Sequence, residues 1–150
     1  MTLRYIPINI TVALMQDSLE ISQAAARELM DLGLGTLIDI RQPFELMLEG
    51  EIEGAVPVPL FRFKQLLGQD LSAEEQELLD ADAPDERDIR HFLALINAQH
   101  LEGDRILLCI CNSGRRSLHA AQLLRDLGYR RSLSVRGGMR GWRDSSPDDT

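Results

Sequence analysis

Cys111-Asn112-Ser113-Gly114-Arg115-Arg116-Ser117 gathers a thiol, small polar residues, a glycine and two cations in seven consecutive positions. A sulfur nucleophile needs stabilised negative charge and space for what it carries, and these residue types supply both. Backbone N–H groups of such a loop, with a helix N-terminus behind them, favour an anion on the sulfur. Ser113-Gly114 lets the backbone fold tightly round whatever the sulfur carries. Arg115 and Arg116 then offer charge-assisted bonds to a small oxyanion. The chemistry suggested is nucleophilic catalysis by Cys111 on an anionic substrate. The plainer alternatives are a buried thiol, and arginines that are simply exposed round a helix.

A cysteine in that role must be held at the carboxyl end of a strand, where open α/β sheets place their ligands. The sequence provides the strand. Residues 105–110 carry Ile106, Leu107, Leu108, Cys109 and Ile110 in succession, an apolar run expected of a parallel strand covered on both faces. A helix follows the loop, with Leu118, Ala121, Leu124 and Leu127 at helical spacing and Gly128 as its stop. Upstream, Ser22 caps a helix over residues 23–32 that Gly33 ends. A buried strand over 36–40 leads to a short helix over 43–48, opened by Pro43 and closed by Gly50. Residues 55–60 read as a second short strand that lies at an edge or breaks early, since Pro57 and Pro59 cannot donate to a ladder. Helical pieces are expected over 61–67 and 72–79, the latter with a capping box at Ser72-Ala73-Glu74-Glu75. After a loop at 81–85, Asp85 or Asp88 opens a helix with Ile89, Phe92, Leu93 and Ile96 on one face. Residues 132–135 form a last strand, Gly137-Gly138 a turn, and Met139 and Trp142 sit in a brief final helix. Strands alternating with helices predict an α/β domain with a mainly parallel sheet.

At 150 residues the chain has the length of one domain with one core. Its 44% hydrophobic and 27% charged residues exclude disordered, collagenous and fibrous classes. A net charge of −8 argues against a nucleic-acid partner. Two cysteines one residue apart exclude a disulfide scaffold. The apolar run at 6–15 is broken by Pro7, Asn9 and Thr11 and precedes no cleavage site. Nothing approaches the length of a membrane span, so a soluble, cytoplasmic protein with no membrane partner is expected. Charge is segregated: residues 70–90 hold nine acids against two arginines, whereas residues 111–143 hold eight arginines against Asp126 alone. His91, His100 and His119 have no ligand spacing, so neither a metal nor a cofactor is expected.

Four stretches, taken in order, resemble the motifs of the rhodanese family. They are Leu37-Ile38-Asp39-Ile40-Arg41-Gln42-Pro43-Phe44-Glu45, Gly50-Glu51-Ile52-Glu53-Gly54-Ala55, the loop from Cys111 to Ser117, and Arg136-Gly137-Gly138-Met139-Arg140-Gly141-Trp142. The resemblance implies a rhodanese-like α/β domain, with a five-stranded, mainly parallel sheet flanked by helices on both faces. It also implies a Cys111 that carries sulfane sulfur as a persulfide, moved from a donor such as thiosulfate to a thiol or cyanide. The loop, Asn112, Ser113, Gly114, Arg115, Arg116 and Ser117, is then the substrate cradle. Loop length separates relatives. Cdc25-type phosphatases and arsenate reductases place an arginine one position further on, where this chain has Ser117; the shorter loop suits a sulfur atom and holds a tetrahedral phosphate poorly. A rhodanese-like binding module without chemistry remains a further alternative.

The expected organisation is an extension at 1–17, a domain at 18–143 with a long acidic helical insertion near 64–103, and a polar tail at 144–150. The insertion is expected to shield the site or to meet a protein partner. The histidine that usually follows the glycine of the second motif is replaced by Glu51. Cys109 is expected in the core, with a resolving thiol as the alternative. Asp39 and Arg41 are expected to brace the active edge of the sheet rather than touch substrate, and Trp142 to pack in the core.

Overall fold

A computed structural model gives the protein's structure and describes residues 18–62, 72 and 83–144. The extension at 1–17, most of the acidic segment, the tail beyond 144 and, apart from Phe61, Arg62 and Ser72, the helical pieces expected over 61–67 and 72–79 lie outside the described residues; Phe61 and Arg62 are not helical.

The domain is built on two central strands. Strand β2 (Gly35–Asp39) and strand β4 (Ile106–Ile110) pair in parallel over their full length, Gly35 opposite Ile106 and Asp39 opposite Ile110. Both have an apolar centre, and Leu37, Ile38, Leu107, Leu108, Cys109 and Ile110 are all buried. Strand β5 (Ser132–Val135) adds to β4, and β1 (Glu20–Ile21) adds to β5. Strand β3 (Val56–Pro57) pairs with the other side of β2. The order is β1-β5-β4-β2-β3 and every pairing is parallel.

Two elements differ from the sequence expectation. The strand expected over 55–60 is only two residues long, because its prolines interrupt the ladder; Val58 and Leu60, which keep their N–H groups, still donate to the carbonyls of Asp39 and Ile40 at 2.9 and 3.0 Å. Strand β1 was not expected at all. Two residues are too few for a periodicity, and its pairing with Ser134 and Val135 is wholly non-local.

Strand alternation sends side chains to two cores. Ile38, Leu107, Cys109 and Cys111 face helices α3 (Glu86–Ala98) and α4 (Arg115–Leu127), through Phe92, Ile96, Ala120, Ala121 and Leu124. Leu37, Leu108, Ile110 and Val135 face helices α1 (Gln23–Asp31) and α5 (Gly138–Asp144), through Ala26, Met139 and Trp142. Helices thus cover both faces. The caps follow the residue types: Ser22 Oγ accepts from the Ala25 N–H at 3.1 Å, and Asp85 forms a reciprocal box with Asp88. Helix α2 (Pro43–Glu49) follows the carboxyl end of β2 and packs Phe44 against the first of these cores. Among the described residues, no helix is long and apolar enough to cross a membrane.

Candidate active site

Strand β4 ends at Ile110, and the chain turns away from the sheet at Cys111. The thiol is buried, and the turn brings backbone donors to it. The N–H groups of Gly114 and Ser117 point at Cys111 Sγ, at 3.2 and 3.4 Å, and the sulfur lies 3.4 Å from the Ser117 hydroxyl. Helix α4 starts directly on this turn, so its N-terminal end faces the sulfur. Gly114 makes the turn possible. Its φ of +97° is a left-handed conformation, and an added Cβ would lie 3.3 Å from Gly137 N.

The floor of the turn is helix α5. The Met139 N–H donates to the Cys111 carbonyl at 2.7 Å, and the Arg140 N–H to the Asn112 carbonyl at 3.4 Å. Gly138 is pressed so closely against this peptide that a Cβ there would come within 2.4 Å of Cys111 O. The expectation that Gly137-Gly138 serve a turn therefore understates Gly138, which lets α5 support the backbone of Cys111 itself.

The flank of the turn is helix α2. Arg116 is fully buried, and its Nη1 and Nη2 donate to Glu45 Oε1 and Oε2 at 2.7 and 2.8 Å. Asn112 Nδ2 donates to Glu45 Oε2 at 3.0 Å and to Glu49 Oε1 at 2.9 Å. A fork-to-fork pair of this kind fixes orientation as well as charge. The Arg116 guanidinium is turned to α2 and engaged by Glu45, and the Asn112 amide is turned the same way. Arg115 is exposed and Ser113 half-buried on the loop. Helix α2 is itself tied down by Arg41, whose Nη2 bridges Asp39 Oδ2 at 2.8 Å and the carbonyl of Gly50 at 3.0 Å.

The residue profile of the Rhodanese-like domain family matches residues 22–145. The chain belongs to the rhodanese-like family. Human thiosulfate:glutathione sulfurtransferase is 30% identical over 124 residues, covering 81% of this chain and 90% of that protein. Among solved structures, a human single-domain sulfurtransferase superposes with a TM-score of 0.57 at 27% identity, covering 86% of this chain and 98% of the other. A rhodanese-related protein from Thermoplasma volcanium superposes with a TM-score of 0.52 at 25% identity, covering 85% and 94%. The five-stranded parallel sheet with helices on both faces is the rhodanese-like fold.

Within this rhodanese-like domain the two cysteines have different surroundings. Burial pushes the Cys109 thiol well above the ordinary thiol range, and the adjacent Cys111 sulfur adds to the effect. A thiol held protonated in the core is a poor resolving nucleophile, which leaves Cys109 its structural reading. Trp142 is buried in the α1–α5 core with the Arg27 guanidinium 4.0 Å from its ring centroid. Three residues of the site were not singled out from sequence. Glu45 and Glu49 stand on α2, and Ser134 reaches the loop from β5, its Oγ 2.6 Å from Ser117 Oγ. Glu45 had a readable signal, a carboxylate within one motif and an arginine within another. Ser134 had only the polar–apolar alternation of Ser132-Leu133-Ser134-Val135. No cluster of potential metal ligands occurs among the described residues.

Proposed function

We propose that this rhodanese-like domain is a sulfurtransferase that carries sulfane sulfur on Cys111, with thiosulfate as a competent donor and a thiol or cyanide as acceptor. The observation that carries the reading is the Cys111 sulfur set between the Gly114 and Ser117 N–H groups at the start of α4. A preorganised set of donors stabilises an anionic sulfur both before attack and after it.

In the first half-reaction the Cys111 thiolate attacks the outer sulfur of thiosulfate. The sulfur–sulfur bond of the donor breaks, sulfite leaves with the bonding pair, and Cys111 holds a persulfide. In the second, a thiolate or cyanide attacks the terminal sulfur and the Cys111 thiolate is regenerated. The name of human thiosulfate:glutathione sulfurtransferase gives thiosulfate and a thiol as that protein's substrates, and the intact loop supports their transfer to this chain. We assign the sulfonate of the donor to Arg115, which is exposed at the first residue of α4. Arg116 acts from behind, holding the loop to α2 through Glu45. A rhodanese-like binding module has no need of backbone donors converging on a thiol, so the enzymatic reading is preferred.

Steady-state kinetics test it. Initial rates with thiosulfate and cyanide varied together should give the parallel double-reciprocal lines of a ping-pong mechanism. Intersecting lines, or no thiocyanate with any sulfane donor, would remove the proposal.

A further inference from the structure

We propose that Ser134 is a positioning residue for the Cys111 sulfur, acting through Ser117 as half of a buried hydroxyl pair whose Ser117 proton turns to the sulfur when the sulfur becomes anionic; this rests on the sulfur-carrier reading above. Both serines are fully buried. Their Oγ atoms lie 2.6 Å apart in a bond for which either is a competent donor. Each also reaches the Gly114 carbonyl, Ser117 at 3.2 Å and Ser134 at 3.4 Å. Ser117 Oγ in turn lies 3.4 Å from Cys111 Sγ.

A hydroxyl has one proton to give and two lone pairs, and its proton rotates to suit its neighbours. With Cys111 as a thiol, the S–H donates to Ser117 Oγ, and the two serine protons are directed within the pair and to Gly114 O. Once the thiol has lost its proton to a solvent base, the sulfur can only accept. Ser117 O–H then turns to the sulfur, and its Oγ, freed of the S–H, accepts from Ser134 O–H. Only rotation about two C–O bonds is needed, and no proton is stored on either serine. Ser134 contributes by polarising the Ser117 hydroxyl in the anionic state. Without it, Gly114 O competes for the Ser117 proton.

The register makes this contact specific. Ser134 lies opposite Cys109 in the β4–β5 ladder, so it emerges on the face that carries Cys111 and the first turn of α4. Ser132, two residues earlier on the same strand, bonds locally to the Tyr129 carbonyl at 2.8 Å instead.

A double-mutant cycle on Ser117 and Ser134 tests the proposal with two readouts on the full chain. One is the rate of Cys111 alkylation by iodoacetamide, located by fragment ions, which needs no sulfur transfer. The other is the single-turnover rate of persulfide formation from thiosulfate. Ser134→Ala should slow both by about 3–10-fold, the scale of one net hydrogen bond. Added to Ser117→Ala it should cost nothing more, because its effect runs through that hydroxyl. A wild-type rate in Ser134→Ala, or losses that multiply in the double variant, would overturn the pair. Should Ser134→Ala fail to fold, Ser134→Thr keeps the hydroxyl and must stay within about twofold of wild type; a loss equal to that of Ser117→Ala overturns it equally. A wild-type chain that alkylates at Cys111 but takes no sulfur would sink the carrier reading, and the alkylation cycle would still decide the serine pair.

Discussion

Cys109 and Cys111, separated by Ile110 alone, share one face of the sheet, yet their sulfurs meet different partners. Cys111 Sγ receives two backbone N–H groups, whereas Cys109 lies among Ile38, Leu107 and the residues of α3 and α4. Cys111→Ser should abolish thiocyanate formation, and Cys109→Ser should retain most of it in the same assay. Cys109 also predicts a pH dependence. Its thiol is raised in the folded state from an ordinary value of 9.0, so only the unfolded chain ionises there once the pH passes that value. The unfolded state then binds fewer protons. The stability this group contributes is complete below pH 9.0 and falls above it, by about 1.4 kcal/mol per pH unit. Denaturant titrations between neutral and alkaline pH should show this slope in wild type and its loss in Cys109→Ser. Arg116 gives the other prediction at this scale. Removing one partner of a buried ion pair leaves the other charge uncompensated, so Arg116→Ala should cost about 3–5 kcal/mol of stability. If Arg116→Ala raises KM for thiosulfate and leaves the melting temperature unchanged, the guanidinium binds substrate after all.

At the scale of elements, the site is a turn clamped between α2 and α5. Gly138 is the tightest point of the clamp, with a φ of +58° and no space for a Cβ beside Cys111 O. Gly138→Ala should lower stability by at least about 1–3 kcal/mol through backbone strain and displace the loop. Transfer activity should fall with it, as thermal melting and initial rates together will show. Sequence patterns located the strands β2, β4 and β5, the caps Ser22 and Asp85, and the cysteine loop, because each rests on local periodicity or a local cap. They left open where β3 breaks, which its prolines decide, and missed β1, whose pairing is set by its neighbour rather than by its own two residues. The direction of the Arg116 side chain was hidden for the same reason. Two adjacent arginines look alike in sequence, and only the position of α2 turns one inward to Glu45 while the other stays exposed.

Across the whole molecule, charge and chemistry are separated along the chain. The cradle lies in the arginine-rich stretch after Cys111, and the acidic stretch at 70–90 carries most of the net negative charge. We propose that the acidic stretch serves a partner or cover rather than the core. Glu74, Glu75 and Glu77 replaced together by Gln should leave the melting temperature and the thiosulfate rate close to wild type; a large loss of stability would show that these charges hold the fold. The central claim is that Cys111 carries sulfur, and one measurement meets it directly. Intact-protein mass spectrometry after brief exposure to thiosulfate, with fragmentation to locate the change, should show one added sulfur atom on Cys111. Cyanide should then remove it as thiocyanate. Protein that stays unmodified with thiosulfate and other sulfane donors while its Cys111 remains open to alkylation, or that takes the sulfur on Cys109, would contradict the account.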